Sequence, residues 1–155
     1  MHLISNYGTA AAQEVFTKML NLPLELVRES EELSAPIEFN GVIGTVGFTG
    51  KMTGLLYLCM SERLANEAAA RILGGPASPE DVNDVIGELT NMVTGNLKSK
   101  MVDQGYNSVL SIPTVLRGEK IAVASLQAAL TLMIELAVPS VSEKLNLYVF
   151  ARLEE

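Results

Sequence analysis

The stretch SPEDVNDVIGELTNMVTGNLKSKMVDQG, residues 78–105, carries the clearest structural pattern in the chain. Ser78 is typical of a helix cap, Pro79 of a first helical position and Gly105 of the left-handed residue that ends a helix. Between these ends, apolar residues recur at steps of three and four, which predicts a helix with one face on a core. These residues are Val82, Val85, Ile86, Leu89, Met92 and Val93.

A narrow polar stripe lies on the opposite side of the same helix. Asp84, Glu88, Asn91 and Gly95 follow one another at intervals of four, three and four residues. At about 100° per residue they lie within roughly 60° of one another, so a carboxylate and a carboxamide are exposed one turn apart. Gly87 and Gly95 border the stripe, although each glycine costs a helix about 1 kcal/mol relative to alanine. Their presence predicts that another backbone approaches closely there.

The rest of the chain predicts two more helices and a set of strands. Residues Tyr7–Leu22 are predicted to form a helix capped by Asn6. Residues 61–75 are predicted to form a second helix, which Ser61 begins and Gly74 ends. Runs of alternating or β-branched apolar residues, bounded by turn residues, predict the strands. The predicted strand segments are residues 24–29, 37–49, 53–60, 124–138 and 144–154, while residues 108–113 and 113–119 are predicted to form strand and turn.

Three details of these strands bear on the fold. Gly41, Gly44 and Gly47 indicate either a bulged strand or a close backbone approach. The last two strands are predicted to be long and antiparallel, although the alanines and leucines of residues 124–138 would also suit a helix. A C-terminal strand at the edge of the sheet is a plausible dimer interface.

The length of the chain predicts a single domain over residues 1–155. The predicted helices and strands indicate an α+β fold, in which long helices pack on a mainly antiparallel β-sheet. Hydrophobic residues make up 48 % of the chain and charged residues 19 %, which argues against disorder. The net charge of −7 and the lack of a basic patch argue against nucleic acid as a partner. No apolar run is long enough to span a membrane and no export signal is visible, so we expect a cytoplasmic protein without membrane contact.

Several kinds of catalytic site are excluded by residues that the sequence lacks. It contains no HExxH, CxxC, GxSxG or glycine-rich phosphate loop. His2 is the only histidine, which excludes a histidine triad or a histidine metal site. Cys59 lies in the apolar run LLYLCM, where a buried core residue is expected rather than a nucleophile. An enzyme with this sequence would therefore work without covalent catalysis and without a metal cluster of its own.

The pair Glu88 and Asn91 leaves two interpretations open. Asn91 cannot act as a general base, but its carboxamide can orient a water, and Glu88 can accept a proton or bond a partner's lysine. Orienting a water is useful chemistry in phosphoryl hydrolysis, where much of catalysis is positioning. The alternative is that both are ordinary solvated residues. Asn96 falls on the apolar side and is predicted to be buried and bonded to nearby backbone.

The helix carries the motif Asp84-x-x-x-Glu88-Leu-x-Asn91-Met-x-x-Gly95-Asn96-x-Lys98. This motif resembles that of the CheX branch of the CheC/CheX/FliY phosphatases of bacterial chemotaxis. Other segments along almost the whole chain also resemble the family's pattern. They are the hairpin residues Phe48, Gly50, Met52 and Gly54, the helix from Ser61 through Gly74, and the later residues Ile112, Pro113, Val115 and Gly118.

The resemblance implies a hydrolase of two-component signalling, which dephosphorylates the phospho-aspartate of a CheY-like response-regulator receiver domain in chemotaxis. It implies that Asn91 orients the attacking water and that Glu88 docks on the receiver's active-site lysine. With these roles, Asp84, Gly87 and Gly95 are expected to contact the partner. The resemblance also implies a CheC/CheX-like fold, a homodimer, and no cofactor of the chain's own, since the receiver supplies Mg²⁺.

Two matches suggest a weak internal pseudo-repeat. Glu14-Val-Phe-Thr17 in the first helix is similar to Glu88-Leu-Thr-Asn91 in the long helix. CheC proteins carry a second complete ExxN motif in the first helix, whereas Thr17 stands here where asparagine is needed, which favours the single-site CheX type. Two other hypotheses remain: a non-catalytic receiver- or flagellar-switch-binding module with a relic motif, and a structural homodimer whose polar helix face has no special role.

Overall fold

Three helices and seven strands are present in the part of the chain that the computed structural model describes, residues 2–31, 37–123 and 130–154. None of these helices is long and apolar enough to cross a membrane. The helices are α1 (His2–Leu20), α2 (Glu62–Leu73) and α3 (Pro79–Val102). The strands are β1 (Glu25–Ser30), β2 (Ile37–Gly50), β3 (Met52–Met60), β4 (Ser108–Leu110), β5 (Thr114–Val123), β6 (Leu130–Val138) and β7 (Glu143–Leu153).

The strands form one sheet in the order β1-β6-β7-β3-β2-β4, with β5 also pairing on β2. Every pairing between described strands is antiparallel. The three helices and the sheet face beneath them form the main apolar core. The predicted α+β fold, with helices on a mainly antiparallel sheet, is therefore confirmed. A smaller buried cluster consists of Ile43, Cys59, Met133, Tyr148 and Phe150.

The predicted antiparallel pair at the end of the chain is confirmed as β6 and β7, joined by a 3-10 turn at Pro139–Val141. The first part of the predicted strand, residues 124–129, lies outside the described residues.

The expected edge position of the C-terminal strand is wrong. β7 lies inside the sheet, where it pairs with β6 on one side and with β3 on the other. Alternate residues of β7 are buried in different clusters: Leu147 and Val149 belong to the main core, whereas Tyr148 and Phe150 belong to the smaller cluster. Burial on both faces is typical of a central strand. Successive side chains of β7 point to opposite faces of the sheet, and both of these faces are apolar. The edges of the described sheet are β1 at one end, and β4 and β5 at the other.

The ends of α3 are formed as the sequence predicts. The Ser78 hydroxyl accepts a hydrogen bond from the Asp81 N–H, and the Asp81 carboxylate accepts one from the Ser78 N–H, each at 3.1 Å. This reciprocal pair is a capping box. At the other end, Gly105 is left-handed with a φ of 91°, and the Tyr106 N–H donates to the Met101 carbonyl at 3.0 Å. A left-handed glycine followed by such a bond is the usual way to end a helix.

The start of α1 differs from the prediction. The helix begins at His2, so Asn6 lies inside it and does not cap it. Ile4 is fully buried and Ser5 is 2 % exposed. Burial of these residues on the core favours helix on the N-terminal side of Asn6, because tertiary packing outweighs the local preference of a capping residue.

Two glycines of β2 show that both interpretations of its glycine pattern are correct. Gly41 has a φ of 134° and lies at a register shift between β2 and β5, as in a bulge. Gly44 is instead a point of close approach. A Cβ atom placed on Gly44 would lie 1.9 Å from Oγ1 and 2.9 Å from Cβ of Thr90 on α3.

Two buried threonines allow α3 to lie this close to the sheet. The Thr90 hydroxyl donates to the Ile86 carbonyl and the Thr94 hydroxyl to the Thr90 carbonyl, each at 2.7 Å. Both side chains are fully buried, and these bonds satisfy their polar atoms within the helix. The close contact fixes which side of α3 faces the sheet and therefore which side faces outward.

We predict that Gly44→Ala destabilises the protein by about 2 kcal/mol or more, because the added methyl group overpacks the contact with Thr90. Urea denaturation measures the change in the free energy of unfolding. In a Thr90→Ala background, the same substitution should cost less, because the nearest clashing atom is gone.

The matched control is Gly75→Ala, because a Cβ atom on Gly75 would meet nothing within 4 Å. This variant should stay within about 0.5 kcal/mol of wild type. A Gly44→Ala protein as stable as the Gly75→Ala control would contradict a tight contact between β2 and α3.

Candidate functional site

The polar stripe of α3 lies at the surface. Asp84 and Glu88 are exposed, while Asn91 and Gly95 are half-buried. The side chains of Asp84, Glu88 and Asn91 make no hydrogen bond or ion pair with any described residue. The capped helix beneath them is anchored on β2 through Thr90. The stripe therefore presents two free carboxylates and a free carboxamide from a fixed backbone.

Gly87 does not lie on the outer surface with the rest of the stripe. It is buried, and a Cβ atom on it would lie 3.5 Å from Val115 and 3.9 Å from Pro113. The atoms that approach Gly87 in this structure are side-chain atoms of the same chain and not another backbone. Gly95 is half-buried, and a Cβ atom there would lie 4.0 Å from Leu110.

These contacts show that residues 110–115, here called the flanking segment, border one side of the stripe. Leu110 lies beside Gly95, while Pro113 and Val115 lie beside Gly87. Asn91 is one helical turn from each glycine and lies on the same flank of α3. The flanking segment therefore passes Asn91, in keeping with the partial burial of that residue. Sequence reasoning missed this neighbour, because periodicity within a helix does not reveal contacts with distant segments.

A groove between α1 and α3 borders the other side of the stripe. Its volume is about 540 Å³. The Glu14 carboxylate of α1 accepts a hydrogen bond from the Asn96 side chain at 2.7 Å and pairs with the Lys100 ammonium at 3.3 Å. The groove is lined by Glu14, Val15, Lys18, Met19, Met92, Gly95, Asn96, Ser99, Lys100 and Asp103.

The prediction for Asn96 is wrong. Asn96 is half-buried, and its side chain donates to the Glu14 carboxylate of another helix rather than to nearby backbone. The reason is that α1 packs against this side of α3 and places a carboxylate within reach. A long-range contact of this kind leaves no periodic signal in the sequence of α3.

The bonds to Glu14 lower the pKa of its carboxyl group, the hydrogen bond from Asn96 first and that from Lys100 second. Glu14 is thus engaged within its own chain, in contrast to Glu88. Thr17, which stands where a second site would need asparagine, is exposed on the same helix. These contacts give Glu14 a structural role between α1 and α3.

The chemical groups elsewhere in the described chain narrow what the site can do. Cys59 is fully buried, and burial raises the pKa of its thiol far above the usual range, so it is a core residue as predicted. Among residues 2–31, 37–123 and 130–154, no three His, Cys, Asp or Glu side chains are placed to hold a metal ion. The stripe can bond a cation with Glu88 and hold a water with Asn91. It carries no thiol, hydroxyl or imidazole side chain.

The model of one protein family, described as chemotaxis phosphatase CheX, matches residues 42–137. This match spans the sheet from β2 to β6 together with α2 and the whole of α3. Among curated protein sequences, none matches this chain.

Several solved structures share the fold. The chemotaxis protein CheX from Vibrio vulnificus is 22 % identical, with a TM-score of 0.86 over 96 % of this chain and 99 % of that one. A CheC-like superfamily protein from Shewanella sp. PV-4 is 24 % identical, with a TM-score of 0.85 over 97 % of each chain. The CheX–CheY–BeF3–Mg²⁺ complex from Borrelia burgdorferi gives 17 % identity and a TM-score of 0.77 over 95 % of this chain and 96 % of that one.

We predict that Glu14 makes stability depend on pH below about pH 5. Its hydrogen bonds lower the pKa of its carboxyl group below the usual range of a glutamate in the folded protein, so its stabilising effect is present above the pKa of the unfolded chain and is lost as the pH falls through the lowered pKa. The free energy of unfolding of Glu14→Gln should therefore approach that of wild type as the pH falls from 6 to about 3. The side chain is 46 % exposed, so solvent screening should keep the effect below about 1 kcal/mol.

Glu38→Gln is the matched control, since Glu38 is exposed and makes no hydrogen bond or ion pair with any described residue. Urea denaturation across the pH range should show no comparable convergence for this variant. A difference between wild type and Glu14→Gln that stayed constant with pH would contradict the role given to the Glu14 carboxylate.

Proposed function

This chain belongs to the CheX family of chemotaxis phosphatases, and on that premise we propose that it accelerates hydrolysis of the phospho-aspartate of a CheY-like receiver domain. The observation that carries the proposal is the free pair Glu88 and Asn91 on a rigid outer helix, within the matched residues. An acyl phosphate is already labile, so a protein that only positions a water can accelerate its hydrolysis usefully.

Asn91 orients the attacking water in this mechanism. A carboxamide accepts a hydrogen bond through its oxygen and donates through its nitrogen, so it can hold a water in a fixed direction. The flanking segment on one side and the attachment of α3 to β2 on the other limit how far Asn91 can move. Side chains held in this way contribute to catalysis through orientation rather than through proton transfer.

Glu88 docks the helix on the receiver. Its carboxylate is exposed and free, so it can form a charge-assisted bond with the lysine of the receiver's active site. Asp84 and Gly95 lie on the same stripe and contact the partner at its two ends. Gly87 contributes indirectly, because its missing side chain lets the flanking segment lie close to α3.

The receiver brings the phosphoryl group and the Mg²⁺ ion. The Borrelia burgdorferi CheX structure contains CheY, BeF3 and Mg²⁺, which supports a receiver as the partner of this chain too. In the proposed complex, this chain contributes Glu88 and Asn91, and the receiver contributes the metal ion and the phosphoryl group. The pathway is accordingly chemotaxis signalling.

The chain also forms a homodimer in this proposal. The described sheet has a free edge at β1, where Leu26 and Val27 are 46 % and 49 % exposed, and another at β4 and β5. Unpaired strand edges are suited to pairing with a second copy. Sedimentation equilibrium should give about twice the chain mass of 16.6 kDa, and a mass of one chain at micromolar concentration would contradict the dimer.

We predict that Asn91→Ala and Glu88→Ala impair dephosphorylation in different ways. Asn91→Ala should abolish most of the acceleration while the protein still binds a receiver loaded with BeF3 and Mg²⁺, because it removes only the water contact. Glu88→Ala should weaken that binding as well as slow turnover, because it removes the docking bond. Decay of the phosphorylated receiver and calorimetric binding measure the two effects.

Both side chains lack partners in the described chain, so each variant should retain its free energy of unfolding to within about 0.5 kcal/mol. Failure of the wild-type protein to accelerate decay in any receiver from the same genome would overturn the enzymatic function. Tight binding without acceleration would instead favour a receiver- or flagellar-switch-binding module that retains a relic motif.

A further inference from the structure

The flanking segment and β4 expose apolar side chains beside the proposed site. Ile112 is 86 % exposed, the highest value among the large apolar residues of the described chain, and Val109 follows at 73 %. The surrounding residues 104–116 contain no charged side chain, although charged residues make up 19 % of the sequence. Depletion of charged residues around exposed apolar side chains is typical of the centre of an interface.

Ile112 is held in place by its neighbours on both sides. The preceding residue, Ser111, donates its N–H to the Gly47 carbonyl, and its hydroxyl accepts from the Gly47 N–H, each at 2.8 Å. The following residue, Pro113, packs against α3 beside Gly87. The backbone of Ile112 is therefore fixed, and ordering it costs little when a partner binds.

The position of Ile112 beside α3 indicates which protein it contacts. Leu110 lies beside Gly95, and Pro113 lies beside Gly87, so Ile112 is carried past Asn91 on the same flank of α3. A protein whose phosphate reaches Asn91 must cover this neighbouring surface as well. The apolar residue and the free carboxylate of Glu88 then form one continuous contact area.

We propose that Ile112 is an apolar anchor for the receiver domain, and this inference rests on the proposed function. Glu88 and Asn91 act at the active site, whereas Ile112 contributes affinity from the adjoining surface. The matching surface of the receiver is apolar and lies next to its lysine and phospho-aspartate. Ile112 is thus a specificity-determining residue, because receivers that lack such a surface bind weakly.

Ile112→Ser tests the proposal, with Leu73→Ser as the matched control. Leu73 is also an exposed apolar residue, at 50 %, but it is the last residue of α2 and belongs neither to the stripe, nor to the flanking segment, nor to an edge of the sheet. For the receiver that the wild type dephosphorylates, Ile112→Ser should raise KM, and the Kd for the receiver loaded with BeF3 and Mg²⁺, about tenfold. This corresponds to about 1.4 kcal/mol. The rate at saturating receiver should stay unchanged, and Leu73→Ser should match wild type.

Thermal unfolding and sedimentation of both variants complete the test. If Ile112→Ser is folded and its KM and Kd equal those of the wild type, the inference is wrong, while the proposed phosphatase function is unaffected. A lower mass for Ile112→Ser alone would assign the residue to the contact between two copies of this chain and would also overturn it. Binding without acceleration by the wild type would overturn the phosphatase function alone, since Kd still decides the role of Ile112. Absence of both binding and acceleration would overturn both.

Discussion

The close contact between Gly44 of β2 and Thr90 of α3 is the constraint on which the arrangement of the site depends. A helix that rests directly on strand backbone can neither roll nor slide without a steric clash or a gap. The two buried threonines make this contact possible, because each satisfies its hydroxyl within the helix. The polar stripe on the far side therefore keeps a constant direction. The direction in which Glu88 and Asn91 point is thus set by residues on the buried side of the same helix.

The two borders of the stripe differ in chemical character, and the proposed function gives this difference a role in how the receiver approaches. The groove beside α1 contains a charged network in which Glu14 is already bonded to Asn96 and Lys100. The flanking segment carries no charge and exposes Ile112. A partner that approaches along the uncharged side displaces water from apolar surface, whereas the charged side remains solvated. In the proposed complex, this asymmetry and the bond to Glu88 together set the orientation of the receiver.

Local pattern predicted much of the fold and the centre of the site. The caps and the apolar period of residues 78–105 were sufficient for α3, and the same period placed Asp84, Glu88 and Asn91 on its outer side. Contacts between distant segments were not predictable in this way. The start of α1 depends on the burial of Ile4, and the role of Asn96 depends on Glu14, which lies 82 positions away. The flanking segment beside Asn91 has one feature that is visible in the sequence, which is the absence of charged residues from 104 to 116. An analysis of apolar periodicity does not detect this feature.

The central place of β7 has a consequence for how the chain folds. β3 ends at Met60 and β7 begins at Glu143, yet the two strands are direct neighbours through nine residue pairs. Residues 61–142 must therefore be synthesised before β3 gains its second neighbour, and a long loop must close to bring the two strands together. Topologies with such distant pairings fold slowly and leave strand edges open in the meantime. During synthesis β3 remains an unpaired edge on that side, so the nascent chain is open to wrong pairing with other copies until β7 is inserted.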